Sequence, residues 1–194
     1  MLAGHLRGDT AAFRQLVERH HREMFRFIVR FTGSAAAAED VVQEAFLQVH
    51  VAAARFDRDR KLKPWLFTIA ANKARDYLRS RSRRKELPLD APIPGKDDAD
   101  AQRFFAMMAE QGPTPAENVE REERSRLVRE VVHAMPATLR EVLLLAYFHG
   151  FPYKDMAEIL DIPLGTVKSR LHSAVASFGK LFRARLNPER GRDV

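Results

Sequence analysis

Apolar residues recur every three or four positions over most of the chain, which is the spacing of one face of an α-helix. The first such segment runs from Phe13 to Phe31 and stops before Gly33, a residue type that often terminates helices. A second is expected from about Ala35 to Ala54, with Ser34 as its N-cap. No useful length of chain alternates apolar and polar residues as a half-buried strand does. The pattern therefore predicts an all-α protein.

The region after the second segment combines a helical pattern with a reversal of charge. Pro64 is expected to open a third helix, because proline suits the first turn of a helix. Positions 73–85 contain seven Lys or Arg and one Asp, whereas positions 86–123 contain ten acidic and three basic residues with several Pro and Gly. The second composition is typical of a linker. We expect two small helical domains, at 1–85 and 124–194, joined by a flexible acidic linker at 86–123.

The C-terminal domain ends in two helices separated by a very short turn. Tyr153–Leu160 fits a short helix, and a longer helix is expected from Leu164, followed by a polar tail. The turn contains Pro163, and proline disfavours the α conformation in the residue before it. Asp161 stands where many such motifs carry Gly, and Asp tolerates the left-handed conformation better than most residues. The pattern predicts a helix-turn-helix.

Polar side chains cluster near the N-terminal end of the longer helix. A helix placed in the major groove of DNA reads bases with residues of this kind. The alternative is the solvated face of a packing helix. The candidate DNA-reading residues are Thr166, Lys168, Ser169, Arg170, His172 and Ser173.

The amino-acid composition favours some classes of function and excludes others. Hydrophobic residues make up 45% of the 194 residues, so a folded core is expected. Lys and Arg number 33 against 26 Asp and Glu, a formal net charge of +7 that favours a polyanionic partner. The absence of cysteine excludes disulfides, Cys-ligated zinc and a cysteine nucleophile. The longest apolar run, Val142 to Phe148, is too short to span a bilayer, and no signal peptide is evident, so a cytoplasmic location without membrane insertion is expected.

The third helix carries a second candidate nucleic-acid surface. Asn72, Arg75, Asp76 and Arg79 fall on one side of it, and a charged loop between Phe56 and the helix precedes it. A basic loop with flanking aromatic residues beside a polar helical face suits an unstacked base. A solvated helix end is the alternative.

Three strings resemble the extracytoplasmic-function sigma factors of bacteria. They are AEDVVQEAF at 38–46, WLFTIAAN at 65–72 and GTVKSRL at 165–171. Their order and the acidic linker between them match that family, and the likeness covers about residues 10–85 and 120–182. It implies a protein that binds core RNA polymerase and directs promoter-specific transcription initiation, with no enzymatic activity and no cofactor or metal.

The resemblance also implies a role for each surface. The second helix corresponds to the family's docking surface for the coiled coil of the polymerase β′ subunit, and the β flap is a further polymerase contact. The helix-turn-helix would read duplex DNA at the minus-thirty-five element, and the third helix would read the minus-ten element and hold its melted non-template strand. The implied docking residues are Asp40, Val41, Gln43, Glu44, Phe46, Leu47 and Gln48. The implied minus-ten residues are Phe56, Lys61, Lys63, Asn72, Lys73, Arg75, Asp76 and Arg79.

The resemblance further implies an anti-sigma factor as a partner. The chain departs from the family pattern at one place. The family often continues its recognition helix with Arg-Ala-Arg, where this chain has Ser173-Ala174-Val175. One cationic contact is therefore missing at Ser173, and Val175 is expected in the core.

Two other classes of protein were weighed against this interpretation. A stand-alone helix-turn-helix regulator would bind an operator as a dimer without polymerase. An enzyme would need a catalytic or cofactor site, but the sequence has no Gly-rich phosphate loop and no metal-ligand cluster. Its histidines, among them His133, His149 and His172, are scattered and are expected to be core or surface residues.

Overall fold

The computed structural model describes residues 2–57, 59–85 and 115–186. The described residues contain no strand, which confirms the all-α prediction. Most of the predicted linker and the polar tail lie outside them. The helices are α1 (Leu2–His5), α2 (Thr10–Thr32), α3 (Ala35–Ala52), α4 (Leu62–Lys85), α5 (Pro115–Ala134), α6 (Ala137–Leu143), α7 (Tyr153–Leu160) and α8 (Leu164–Leu186). A short 3₁₀ turn (Ala53–Arg55) follows α3, and a π-helical turn (Leu144–Phe148) continues α6.

The ends of α2 and α3 are set by local hydrogen bonds. An Asp9 carboxylate oxygen accepts from the backbone N–H groups of Ala11 at 2.9 Å and Ala12 at 3.1 Å, which caps α2. Gly33 ends α2 with φ of 75°, in the left-handed region that glycine adopts without strain. The hydroxyl of Ser34 accepts from the N–H of Ala37, as predicted for the cap of α3.

Two helices begin earlier than the sequence pattern indicated. α4 starts at Leu62 rather than Pro64, because the first N–H groups of a helix have no intrahelical partner and proline is tolerated throughout the first turn. α5 starts at Pro115 rather than near Arg124, so the last part of the predicted linker is helical. Its sequence spaces Glu120 four positions before Arg124, an arrangement that favours helix.

The first compact unit comprises Met1–Pro88 together with Leu144–Pro163. Its helices α2, α3 and α4 pack on one another, and α7 and the π-helical turn pack against this group. The predicted domain limits at 85 and 124 stay a prediction, and the spatial grouping differs from them in residues 144–163. The fully buried side chains at its centre are Leu16, Met24, Phe27, Ile28, Phe31, Leu66 and Phe67.

The second unit comprises Leu89–Leu143 together with Leu164–Val194. Within it α8 packs against α5 and α6. The Arg140 guanidinium donates to the backbone carbonyls of His133 at 2.6 Å and Met135 at 2.8 Å, and so closes the corner between α5 and α6. Burial lowers the pKa of Arg140 to about 10. The buried apolar residues of this unit are Val131, Val132, Met135, Leu139, Val142, Leu143, Val167, Leu171, Ala174, Val175, Ala176 and Phe178.

Candidate nucleic-acid interfaces

One face of α3 carries a ridge of exposed residues. Two large apolar side chains one turn apart, Leu47 and Val51, are 60% and 72% exposed. We call the exposed set the docking ridge; it consists of Asp40, Gln43, Glu44, Leu47, Gln48 and Val51. An acidic ridge with exposed apolar residues suits a basic partner surface that also buries apolar area.

The docking ridge differs from the predicted set at three residues. Val41 and Phe46 were included in that set, but they are 3% and 6% exposed and belong to the core of the first unit. Val51 was missed, although it lies one helical turn after Leu47, and that spacing was a signal in the sequence.

The candidate minus-ten face of α4 is polar along its length. Asn72, Asp76 and Arg79 are exposed, and the Asp76 carboxylate accepts a hydrogen bond from Arg79. Arg75 is half-buried, and its Nε donates to the carbonyl of Ala71 at 3.3 Å. The predicted placement of these residues on one face therefore agrees with their positions on α4.

A lysine of α4 also faces the docking ridge. The Nζ atom of Lys73 lies 3.5 Å from a carboxylate oxygen of Glu44 on α3. Glu44 is exposed and Lys73 is half-buried at the surface, where ion pairs contribute about 0–1 kcal/mol. It links the candidate minus-ten face to the docking ridge.

Three cations lie where the chain enters α4, and we call them the basic turn: Arg60 and Lys61 in the preceding loop and Lys63 in the first turn of the helix. Above the turn, the rings of Phe56 and Trp65 meet with their centroids 4.6 Å apart. Trp65 is half-buried. An aromatic pair beside cations is an arrangement that accommodates an unstacked base.

Each cation of the basic turn is near an acidic group. Lys61 Nζ lies 3.1 Å from both carboxylate oxygens of Asp155 on α7. Arg60 is 3.5 Å from Glu158, and Lys63 pairs with Glu23 on α2.

These acidic partners were not predicted from the sequence. Asp155 follows Lys61 by 94 positions, and no local pattern reports a contact at that distance along the chain.

His149 follows the π-helical turn and is the most deeply placed titratable group near α2 and α4. Its side chain is 3% exposed, and its ring lies 5.6 Å from that of Phe27 and 5.0 Å from that of Phe67. Burial lowers the pKa of His149 to about 4, while the Glu23 carboxylate, 3.6 Å from Nδ1, acts in the opposite direction. The histidine is therefore neutral near pH 7, which agrees with the expected core role.

The turn of the helix-turn-helix has the conformation that the sequence predicted. Asp161 ends α7 with φ of 53°, and in the described residues it is the non-glycine residue with positive φ. The N–H of Ile162 donates to the carbonyl of Ala157 at 3.1 Å, so the last turn of α7 closes without glycine.

The N-terminal half of α8 separates buried from polar positions. Val167 and Leu171 are buried. Ser169 donates from its hydroxyl to the carbonyl of Thr166 at 3.1 Å. Of the candidate residues, Lys168, Ser169 and His172 are exposed and Thr166, Arg170 and Ser173 are half-buried. Val175 is buried, so the sequence departure at that position reflects packing.

A buried carboxylate that the sequence analysis missed lies behind this face. Glu141 on α6 is 3% exposed, and one of its oxygens is 3.9 Å from the guanidinium of Arg170. The sequence does not mark a glutamate within an apolar helix as a buried ion-pair partner unless its basic partner is known.

Neither a metal centre nor a membrane span is found among the described residues. No group of three or more His, Asp or Glu in those ranges is placed to hold a metal ion. None of their helices combines the length and apolar character needed to cross a membrane.

Comparison with known proteins identifies the family. Two family models match the chain, Sigma-70 region 2 over residues 16–84 and Sigma-70 region 4 over residues 125–177. The RNA polymerase sigma-H factor of Pseudomonas aeruginosa is 34% identical over 174 residues, which cover 90% of this chain and 88% of that protein. The ECF RNA polymerase sigma factor SigW of Bacillus subtilis is 30% identical and covers 91% of this chain and 92% of that protein.

Solved structures give the same fold. CnrH in complex with the cytosolic domain of CnrY matches with a TM-score of 0.66 and 26% identity, over 94% of this chain and 95% of that chain. The sigma factor RpoE in complex with the anti-sigma factor NepR, from Bartonella quintana, matches with a TM-score of 0.65 and 22% identity, over 89% of this chain and 97% of that chain. The chain belongs to the extracytoplasmic-function family of RNA polymerase sigma factors, the regulatory subunits that direct transcription from particular promoters.

Proposed function

We propose that this sigma factor binds core RNA polymerase through the docking ridge, and the observation that carries the proposal is the exposure of Leu47 and Val51 beside acidic residues. Isolated surface apolar residues are common, but two adjacent large ones on a rigid helix, flanked by charge, are typical of a partner surface. The β′ coiled coil is the proposed partner of the ridge, and the β flap is a further polymerase contact.

Fluorescence titration with core polymerase tests this assignment. We compare the wild type with D40A/Q43A/E44A, and Q15A/E18A on exposed positions of α2 serves as the matched control. We expect tight binding by the wild type and the control, and at least tenfold weaker binding by the ridge variant. Folded wild-type protein that fails to bind micromolar polymerase would contradict the assignment and favour a stand-alone regulator.

The proposed DNA contacts are divided between α4 and α8. The exposed face of α4, with Asn72 and the half-buried Arg75, is proposed to hold the melted non-template strand at the minus-ten element. The exposed polar residues of α8 are proposed to read the minus-thirty-five duplex. Base stacking contributes about 1–3 kcal/mol per base, so a few contacts bias promoter opening substantially.

Promoter opening separates the α4 assignment from core binding. The variant N72A/R75A is expected to slow opening, followed with a fluorescent base in the minus-ten element, while its affinity for core polymerase is unchanged. The control R81A changes an exposed cation further along α4. Normal opening by N72A/R75A would show that these residues are not part of the site.

The protein is proposed to act in the cytoplasm with no catalytic chemistry of its own, and to be held inactive by an anti-sigma factor. Two solved relatives support the last point: RpoE was determined with the anti-sigma factor NepR, and CnrH with the cytosolic domain of CnrY. Copurification of an anti-sigma factor with the tagged chain from its native host is the direct test.

A further inference from the structure

We propose that Asp155 and Glu158 on α7 occupy the basic turn as an internal competitor for promoter DNA. The inference rests on the proposed function, extended to the minus-ten role that the resemblance implies for Lys61 and Lys63. The two carboxylates are three positions apart on α7, so they lie on the same side of the helix. They present two negative charges to a surface that is otherwise suited to phosphates.

The Asp155 carboxylate makes a close contact with Lys61. Lys61 Nζ is 3.1 Å from each oxygen of Asp155, so one ammonium group bridges the whole carboxylate. The Asp155 side chain is 12% exposed, whereas that of Lys61 is 71% exposed. The lysine therefore remains accessible to a competing anion, while the carboxylate is fixed by its surroundings.

An apolar anchor holds the same segment against α2 and α4. The ring of Phe151 lies 4.8 Å from that of Phe67, and Lys63 Nζ lies 5.1 Å from the Phe151 centroid. The Arg30 guanidinium lies 4.7 Å from the centroid of Phe148. Packed aromatic residues therefore fix the segment that carries the two acids of α7, so its ion pairs do not depend on surface contact alone.

The helix dipole of α7 accounts for only part of this arrangement. Asp155 lies in the first turn of α7, where the helix dipole favours an acid. That effect explains neither the second acid, Glu158, nor its position 3.5 Å from Arg60. Competition with DNA follows from both pairs, because a phosphate oxygen and a carboxylate oxygen cannot occupy the same place on Lys61.

The size of the expected effect follows from the exposure of the cations. Exposed ion pairs contribute little each, so removing the two carboxylate charges should tighten DNA binding about three- to tenfold. The full-length chain with a fluorescent single-stranded oligonucleotide of twenty thymidines at low salt is the assay, read by anisotropy. The test variant is D155N/E158Q.

The matched control removes the same charge elsewhere. E18Q/E39Q changes two exposed carboxylates of α2 and α3, so it reports the effect of net charge alone. Thermal unfolding of each variant checks that it is folded. We expect D155N/E158Q to bind more tightly than E18Q/E39Q, and equal affinities for the two variants would overturn the proposal.

One further variant separates this inference from the proposed function on which it rests. K61A/K63A should bind the oligonucleotide more weakly; unchanged binding would remove the basic turn from the DNA site and overturn both proposals. Weaker binding by K61A/K63A without a gain in D155N/E158Q would overturn only the competition.

Discussion

A carboxylate oxygen of Glu141 on α6 lies 3.9 Å from the guanidinium of Arg170 on α8. The side chain of Glu141 is almost wholly buried, whereas about a third of Arg170 is exposed. The buried acid therefore holds one side of a cation whose other side faces solvent on the proposed minus-thirty-five face. If this face binds DNA as proposed, Glu141 should influence that binding through Arg170 without contacting the DNA itself.

The first prediction concerns this pair. E141A is expected to lower the free energy of unfolding by about 1–3 kcal/mol, because it removes the partner of a partly buried cation. It should also weaken duplex binding, since Arg170 is no longer held in place. Urea unfolding and duplex anisotropy measure the two effects, and T138A on an exposed position of α6 is the control. If E141A weakens binding equally in an R170A background, Glu141 does not act through Arg170.

The second prediction concerns the pH dependence of stability at His149. Its pKa is lowered from 6.5 to about 4 by burial, with Arg30 and Lys63 acting in the same direction and Glu23 in the opposite one. The unfolded chain therefore binds more protons than the folded chain between these values, and stability rises with pH across this window. The contribution is complete above about pH 6.5, is lost as the pH falls towards 4, and amounts to at most about 3 kcal/mol.

Urea unfolding between pH 4.5 and 7.5 measures this dependence. H149F keeps an aromatic ring at the site but cannot be protonated, so its stability should vary less steeply with pH than that of the wild type. H172F, at an exposed histidine on α8, is the control and should follow the wild type. Parallel curves for H149F and the wild type would contradict the prediction.

The third prediction concerns the left-handed residue of the helix-turn-helix. D161G should leave stability unchanged or raise it by up to about 1 kcal/mol, because glycine adopts a φ of 53° without strain. D161V should lower stability by about 1–2 kcal/mol, because a β-branched side chain is disfavoured there. Thermal unfolding of both variants gives the comparison, and a tolerated valine would show that the turn does not require this conformation.

The fourth prediction concerns the apolar part of the docking ridge. L47A/V51A should weaken core polymerase binding about 10- to 100-fold, because two exposed side chains lose the area they bury against the partner. The free energy of unfolding should change little, since neither side chain is buried in the free chain. L186A, at another exposed leucine, controls for loss of surface apolar area. Unchanged polymerase affinity in L47A/V51A would move the docking surface away from these residues.

Helix boundaries fixed by local chemistry were predictable from the sequence. Gly33 and Ser34 act through their own conformation or through residues within a few positions, and Tyr153–Leu160 was predicted with the observed bounds. The exposure of Lys168 and the burial of Val175 follow from helical spacing alone, and both were predicted.

The rest depended on contacts that a sequence pattern does not contain. The assignment of Val41 and Phe46 to a partner surface came from the resemblance, whereas helical spacing already places both on the apolar stripe of α3, where they are buried. The π-helical turn Leu144–Phe148 continues α6 with no distinguishing residue, so apolar periodicity does not reveal it. The pairs Lys61–Asp155 and Arg170–Glu141 join positions far apart in the chain, so only the folded structure shows them.

The corner between α5 and α6 is chemically specific to arginine. Arg140 satisfies two backbone carbonyls there, those of His133 and Met135, from a single terminal nitrogen of its planar guanidinium. Its pKa of about 10 keeps that group charged under any condition in which a bacterium grows near neutrality. Lysine has a compact ammonium with a different reach and loses its proton more readily when buried, so it is a poor substitute at this position. A substitution that keeps the charge would therefore still loosen the support on which α8 rests.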